Sequence, residues 1–114
     1  MTGIVITYDG KIYTKDLQEP LHRSVSEIVG GLIEIVKPRE LPRPYCMIVN
    51  EEFSILQLPL NPVGCYLYAT HDHGYPICGN IIILKEKGEE LVGLDPIEQK
   101  RIRDYMQIID ESTM

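Results

Sequence analysis

The sequence predicts an α+β domain. A mainly antiparallel sheet carries two short helices and a C-terminal amphipathic helix, in the order ββ-α-β-ββ-α-β-α. Three observations carry that expectation. Asp9-Gly10 separates two β-branched runs, GIVITY and KIYTKDL, and Asp-Gly at such a junction is the strongest short hairpin signal. NIIIL at 80–84 is the most continuous apolar stretch of the chain and reads as a strand in the middle of the sheet. Ile102, Tyr105, Met106 and Ile109 recur at i, i+3, i+4 and i+7, the apolar stripe of a helix. At 114 residues, 44% hydrophobic and 25% charged, the chain suits one core spanning 1–114 and is neither disordered nor collagen-like.

Gly3–Tyr8 and Lys11–Lys15 are expected to pair through a tight primed turn, with positive φ at both Asp9 and Gly10. Ser24-Val25-Ser26-Glu27 reads as a capping box opening a short helix. Gly30-Gly31 ends that helix by supplying a left-handed stop. Leu32–Lys37 alternates and is β-branched, so a strand follows; Leu32, with Ile28 and Val29, is expected in the core. Lys37–Tyr45 carries prolines at 38, 42 and 44 and reads as an extended loop. Cys46–Asn50 is a short buried strand, Glu51-Glu52 an exposed turn, and Phe53–Leu58 a returning strand that makes a second hairpin. Asn61 caps a helix with Pro62 at its first position. That helix runs to about Thr70 and buries Val63, Leu67 and one of Tyr66 and Tyr68. Asp72–Gly79 is a turn-rich loop, and Lys85–Glu90 a charged one. Asp95-Pro96-Ile97-Glu98 opens the last helix as a second capping box. The face opposite its stripe bears Lys100, Arg101, Arg103, Asp104 and Gln107.

Eleven Lys and Arg against 17 Asp and Glu give a formal net charge of −6. A balance this acidic keeps a small domain dispersed, or presents an acidic face to a basic protein. Direct nucleic-acid binding is not expected of it. No apolar run approaches a membrane span, and the N-terminus does not read as a secretory signal. Three cysteines at scattered positions fit free thiols in a reducing compartment. The protein is therefore expected in the cytoplasm, away from membranes and without a cofactor.

Four stretches together form a pattern: EIVGGLIEIV at 27–36, VNEE at 49–52, LPLN at 58–61 and GNIII at 79–83. Through them the chain resembles a family of small proteins known as a domain of unknown function. That family is found largely in phages, prophages, plasmids and Firmicutes. The resemblance covers about residues 24–84 and implies a fold and a mobile-element setting, but no reaction. The chain departs from the pattern at the loop Thr70–Pro76. The same residues also have a structural reading: Gly30-Gly31 as a helix exit, Asn50 as a turn residue, Asn61 as a cap and Gly79 as a close backbone approach. Alternatively Asn50, Glu51 and Glu52 sit beside Asn61 and Asn80 and line a polar groove.

Cys65, His71, His73 and Cys78 form C-x5-H-x-H-x4-C, residue types that zinc prefers. Mid-helix Cys65 reads equally as a buried apolar thiol. A cysteine nucleophile with a histidine base would need a third group to orient the ring, and no phosphate-loop, dinucleotide, nucleophile-elbow or zincin motif occurs. Adjacent Glu51 and Glu52 do not share one face of a strand. Lys37, Arg39 and Arg43 form a basic concentration on a stiff loop. Seven tyrosines against one phenylalanine point to interface use, because tyrosine tolerates half-exposure. The binding face is therefore expected at Lys37, Arg39, Arg43, Tyr45, Tyr66, Tyr68 and Tyr75, with Asn50, Glu51 and Glu52. The chain reads as a non-enzymatic binding protein of mobile-element origin. Its expected partner is a host protein, such as a defence or nucleic-acid enzyme that it inhibits. A metal-dependent or thiol enzyme centred on 65–78 and a small-ligand binder are the alternatives. A homodimer, paired through a sheet edge or the last helix, is also expected.

Overall fold

The computed structural model describes residues 1–113. Strands β1 (Thr2–Ile6), β2 (Ile12–Asp16), β3 (Ile33–Val36), β4 (Tyr45–Asn50), β5 (Ile81–Lys87) and β6 (Glu90–Val92) form one antiparallel sheet. The strand order is β2-β1-β5-β4-β3. Strand β5 is central, as its unbroken apolar run predicts. Lys85 pairs with Tyr45 of β4 and with Val92 of β6, so β6 lies on the same side of β5 as β1. Helices are α1 (Leu21–Val29), α2 (Pro62–Leu67), α3 (Thr70–His73) and α4 (Pro96–Thr113). The fold is α+β, with one helix more than the sequence predicts.

Alternation divides the sheet's side chains between two cores. Ile4, Ile6, Met47, Val49, Ile81 and Ile83 face α2 and α4, where Val63, Leu67, Ile102, Met106 and Ile109 meet them. Val5, Cys46, Ile48, Ile82 and Leu84 face α1, against Val25 and Val29. The central strands are apolar on both faces because both faces are covered. Among the described residues no helix is long and apolar enough to cross a membrane.

Several local expectations are corrected. The first hairpin forms, but its turn is longer. Gly10 N–H donates to Thr7 C=O at 3.1 Å and Thr7 N–H to Lys11 C=O at 2.9 Å. Only Gly10 in this turn has positive φ, at 92°, the pattern of a type I turn closed by a glycine bulge. The box at Ser24 does not cap α1. That helix starts at Leu21, which packs against the second core. Ser24 Oγ donates instead to Gln18 C=O and Ser26 Oγ to Gly31 C=O. Gly30 does stop the helix, with φ 87°. Leu32 is 59% exposed rather than buried, in the bend between α1 and β3.

Phe53–Leu58 is a run of turns, not a strand. Both sides of β4 are already paired, to β3 and β5, which leaves a returning strand no partner. The second hairpin instead joins β5 to β6 through Gly88-Glu89, inside the stretch expected to be a loop. Gly88 takes φ 65°, as the first central position of a type II′ turn requires. Helix α2 stops at Leu67 instead of near Thr70. Ala69 turns left-handed at φ 56° and starts α3, whose last two residues fall in the expected loop Asp72–Gly79.

Candidate functional site

The break between α2 and α3 builds an aromatic cluster around His73. Its ring packs edge-on against Tyr68, with centroids 4.9 Å apart, and tilted against Tyr75 at 5.6 Å. Both ring nitrogens are used. Nε2 lies 3.0 Å from Tyr68 C=O, and Nδ1 accepts from Tyr75 N–H at 3.1 Å. A carbonyl only accepts and a peptide N–H only donates, so these bonds fix the Nε2–H tautomer. His73 thereby holds both tyrosines in place.

Tyr68 and Tyr75 form one wall of a hollow of about 390 Å³ between β3, β4 and this cluster. Buried Val49, Ile77 and Cys78 contribute to its floor, and Glu34, Glu51 and Phe53 line it from β3 and the turn after β4. Of the expected face, Asn50, Glu51, Tyr68 and Tyr75 meet here. Glu52 does not line the hollow; its N–H donates to Asn50 Oδ1.

Lys37, Arg39, Arg43 and Tyr45 line a second hollow, of about 380 Å³, with Glu86 opposite. The proline loop is pinned rather than loose. Pro38 is buried, and Arg39 and Glu40 N–H groups both donate to Leu67 C=O, at 2.8 and 3.2 Å. The Arg39 guanidinium reaches Asp72 of α3 at 3.3 Å. Tyr45 donates its hydroxyl to Glu98 at 2.7 Å, and Lys85 meets the other oxygen of that carboxylate at 2.7 Å. Burial, and then the bond to Glu98, push the Tyr45 phenol up to about 12. Burial alone would raise Glu98, but bonds from Lys85, the Asp95 backbone and Tyr45 outweigh it and hold this carboxyl at about 2. Tyr66 lines neither hollow; burial, and then the nearby Tyr66 phenol, raise the Tyr105 phenol of α4.

The Cys65, His71, His73, Cys78 set does not converge. His71 is exposed beside Asp72, His73 is saturated by backbone, and the Cys65 sulfur exchanges hydrogen bonds with Ile77 N–H and C=O at 3.3 and 3.4 Å. Among the described residues no group of three or more His, Cys, Asp or Glu is placed to hold a metal ion. Burial raises the Cys78 thiol, and raises Cys46 to about 12, so neither is an activated nucleophile.

The expected polar groove of asparagines does not form either. Asn50 Nδ2 donates to Val29 C=O at 3.0 Å. Asn61 accepts from Gly64 N–H at 3.0 Å and donates to Ile6 and Gly79 carbonyls at 3.0 and 2.9 Å. Asn80 accepts from Tyr8 N–H. Sequence reasoning missed Glu34 and Phe53. The available signals were the polar position between Ile33 and Ile35, which alternation turns to the other face, and the chain's one phenylalanine.

Residues 1–107 match the family described as a domain of unknown function (DUF3846). The chain belongs to this family. The match extends beyond residues 24–84 to take in the first hairpin and most of α4. No curated protein and no solved structure matched the chain. In this DUF3846 chain the four sequence stretches are two structural locks. The VGG and VNEE stretches are joined by Asn50 on Val29 C=O. The LPLN and GN stretches are joined by Asn61 on Gly79 C=O and by Gly79 N–H on Pro59 C=O at 2.7 Å. Gly79 has φ 80°, and a Cβ there would lie 2.9 Å from Leu58 Cδ1. The residues that carry the resemblance therefore hold the fold; Glu34, Val36, Val49, Asn50 and Glu51 among them also line the aromatic hollow, while the basic hollow is lined by others.

Proposed function

We propose that this DUF3846 protein is a non-enzymatic binding protein that docks a host protein along the β3 edge. The observation that carries this reading is the meeting of two hollows at one strand end. Val36 lines the aromatic hollow and its neighbour Lys37 the basic one. Tyrosine and arginine are among the residue types that dominate binding energy, and here Tyr68 and Tyr75 line one hollow and Arg39 and Arg43 the next. A free edge strand also offers backbone groups to an extended partner segment. The burial-raised Cys78 thiol, the Cys65 sulfur bonded to the Ile77 backbone and the saturated His73 ring argue against a thiol enzyme on residues 65–78. The finer reading is an anti-defence inhibitor of mobile-element origin, acting on a host defence or nucleic-acid enzyme in the cytoplasm. What supports it is the resemblance to a family found largely in phages and plasmids, an association by setting.

The test is affinity capture from host lysate with mass spectrometry, using the native chain, Tyr75→Ala and the pair Arg39→Ala/Arg43→Ala. A partner held by the native chain is expected to be lost from both variants and kept by Lys100→Glu on α4, outside both hollows. Equal capture by all four proteins overturns the reading. A second reading, a homodimer joined β3 to β3, is favoured by Leu32 and Ile35, 59% and 45% exposed at this edge. Light scattering then gives twice the chain mass of 13.0 kDa; the single mass at all micromolar concentrations sinks it.

A further inference from the structure

We propose that the aromatic hollow takes a cation on an alkyl stem, an arginine or lysine side chain supplied by the docked partner. This rests on the docking reading and names the chemistry that the groove recognises. The hollow is electronegative on two independent counts. Its lining contains Glu34 and Glu51 but no lysine, arginine or histidine. Neither carboxylate has an ion pair or side-chain hydrogen bond within the described residues. Tyr68, Tyr75 and Phe53 add aromatic rings, whose negative faces attract cations.

Three kinds of guest can be compared on these residues. An anion meets two carboxylates and no donor side chain except tyrosine hydroxyls and the Asn50 amide. A neutral apolar guest gains the floor of Val49 and Ile77 but gives the two rim carboxylates no partner. A cation with an aliphatic stem gains both: the stem lies on the apolar floor while the head stays at the carboxylate rim. Guanidinium suits this rim better than ammonium, because its planar fork pairs with carboxylate and stacks on a ring. The hollow's size, about 390 Å³, is in the range of sites that enclose such groups. The neighbouring basic hollow would then meet acidic residues of the same partner, and the two together set its register.

The experiment titrates the isotope-labelled full chain with N-acetyl-arginine amide and with N-acetyl-norleucine amide, following backbone amide resonances. The arginine probe is expected to shift Glu51, Phe53 and Tyr75 saturably, and to bind about ten-fold or more tighter than the uncharged probe. Glu34→Gln/Glu51→Gln is expected to remove that preference while resonances elsewhere stay in place, since both side chains are exposed and unpaired. Equal binding of the two probes, or an unchanged preference in the double variant, overturns the assignment. The two readings fail separately. Loss of partner from Tyr75→Ala with no arginine preference keeps the docking face and removes the cation. An arginine preference with unaltered partner capture keeps the cation site and removes the docking face.

Discussion

Asn61 shows how much one side chain can hold. It is fully buried and makes three bonds: to its own helix, to β1 and to the residue that enters β5. Asn61→Ala removes the cap and orphans two buried carbonyls, and is expected to cost about 2–4 kcal/mol in urea unfolding. Asn61→Asp keeps the cap acceptor but cannot donate, so any stability it recovers measures the cap alone. Glu98 is a second such residue, shared by the Asp95 backbone, Tyr45 and Lys85. Folding lowers this carboxyl from its ordinary 4.5 to about 2, so the folded state binds its proton more weakly than the unfolded state does. The resulting stability is fully present above about 4.5 and is lost as pH falls toward about 2. Glu98→Gln is expected to lower stability by about 1–3 kcal/mol at neutral pH. Acid titration of both proteins should show that gap closing across the same window. A gap that persists unchanged at pH 2 would assign it to packing.

At the start of α4, Asp95 and Glu98 exchange bonds of 2.8 and 3.0 Å between side chain and backbone, the capping box that the sequence shows. Asp95→Ala is expected to cost about 1 kcal/mol, read as a lowered denaturation midpoint. The same motif at Ser24 misleads, and the comparison explains why. Asp95 stands directly before Pro96, whereas Ser24 lies one turn inside a helix that extends back to pack Leu21 on the second core. Elements whose signal is local were legible: the Asp9-Gly10 reversal, the Gly30 stop, the Asn61 cap and the stripe Ile102, Met106, Ile109. Elements decided by pairing were not. FSILQL reads as a strand returning from the Glu51-Glu52 turn, but no edge of β4 is open to it. KEKGEELV looks like a solvated loop, yet it pairs because β5 continues past the end of β1 and leaves room for β6. The residues that line the two hollows were singled out in the sequence as types, tyrosines and arginines. Their separation into two hollows was not legible, because it depends on the left-handed turn at Ala69 that lets α3 fold back.

Across the whole molecule, the two hollows at the β3 edge differ in charge: one carries only carboxylates, the other three cations against Glu86. Glu34 and Glu51 lie in one hollow, while Lys37, Arg39 and Arg43 lie in the next. The backbone beneath is stiff, since the proline loop hangs on Leu67 C=O and Arg39 ties it to α3. Stability and binding should therefore separate cleanly under mutation. The loop is anchored by main-chain bonds and by Pro38, which side-chain truncation at Arg39 and Arg43 leaves intact. The Arg39–Asp72 pair is exposed on both sides, and such pairs contribute little to folding. Tyr75 is 69% exposed, and its bond to His73 comes from the backbone, so Tyr75→Ala keeps that bond as well. Each change is expected to leave unfolding free energy within about 0.5 kcal/mol of the native chain and to weaken partner binding by more than about 1 kcal/mol. His73→Ala supplies the contrast. It removes the ring that joins Tyr68 C=O to Tyr75 N–H, so it should weaken binding and lower stability together. Urea unfolding beside a binding titration measures both quantities. If Tyr75→Ala destabilises as much as His73→Ala, the tyrosine belongs to the scaffold, and the exposed aromatic wall is not where the partner is gripped.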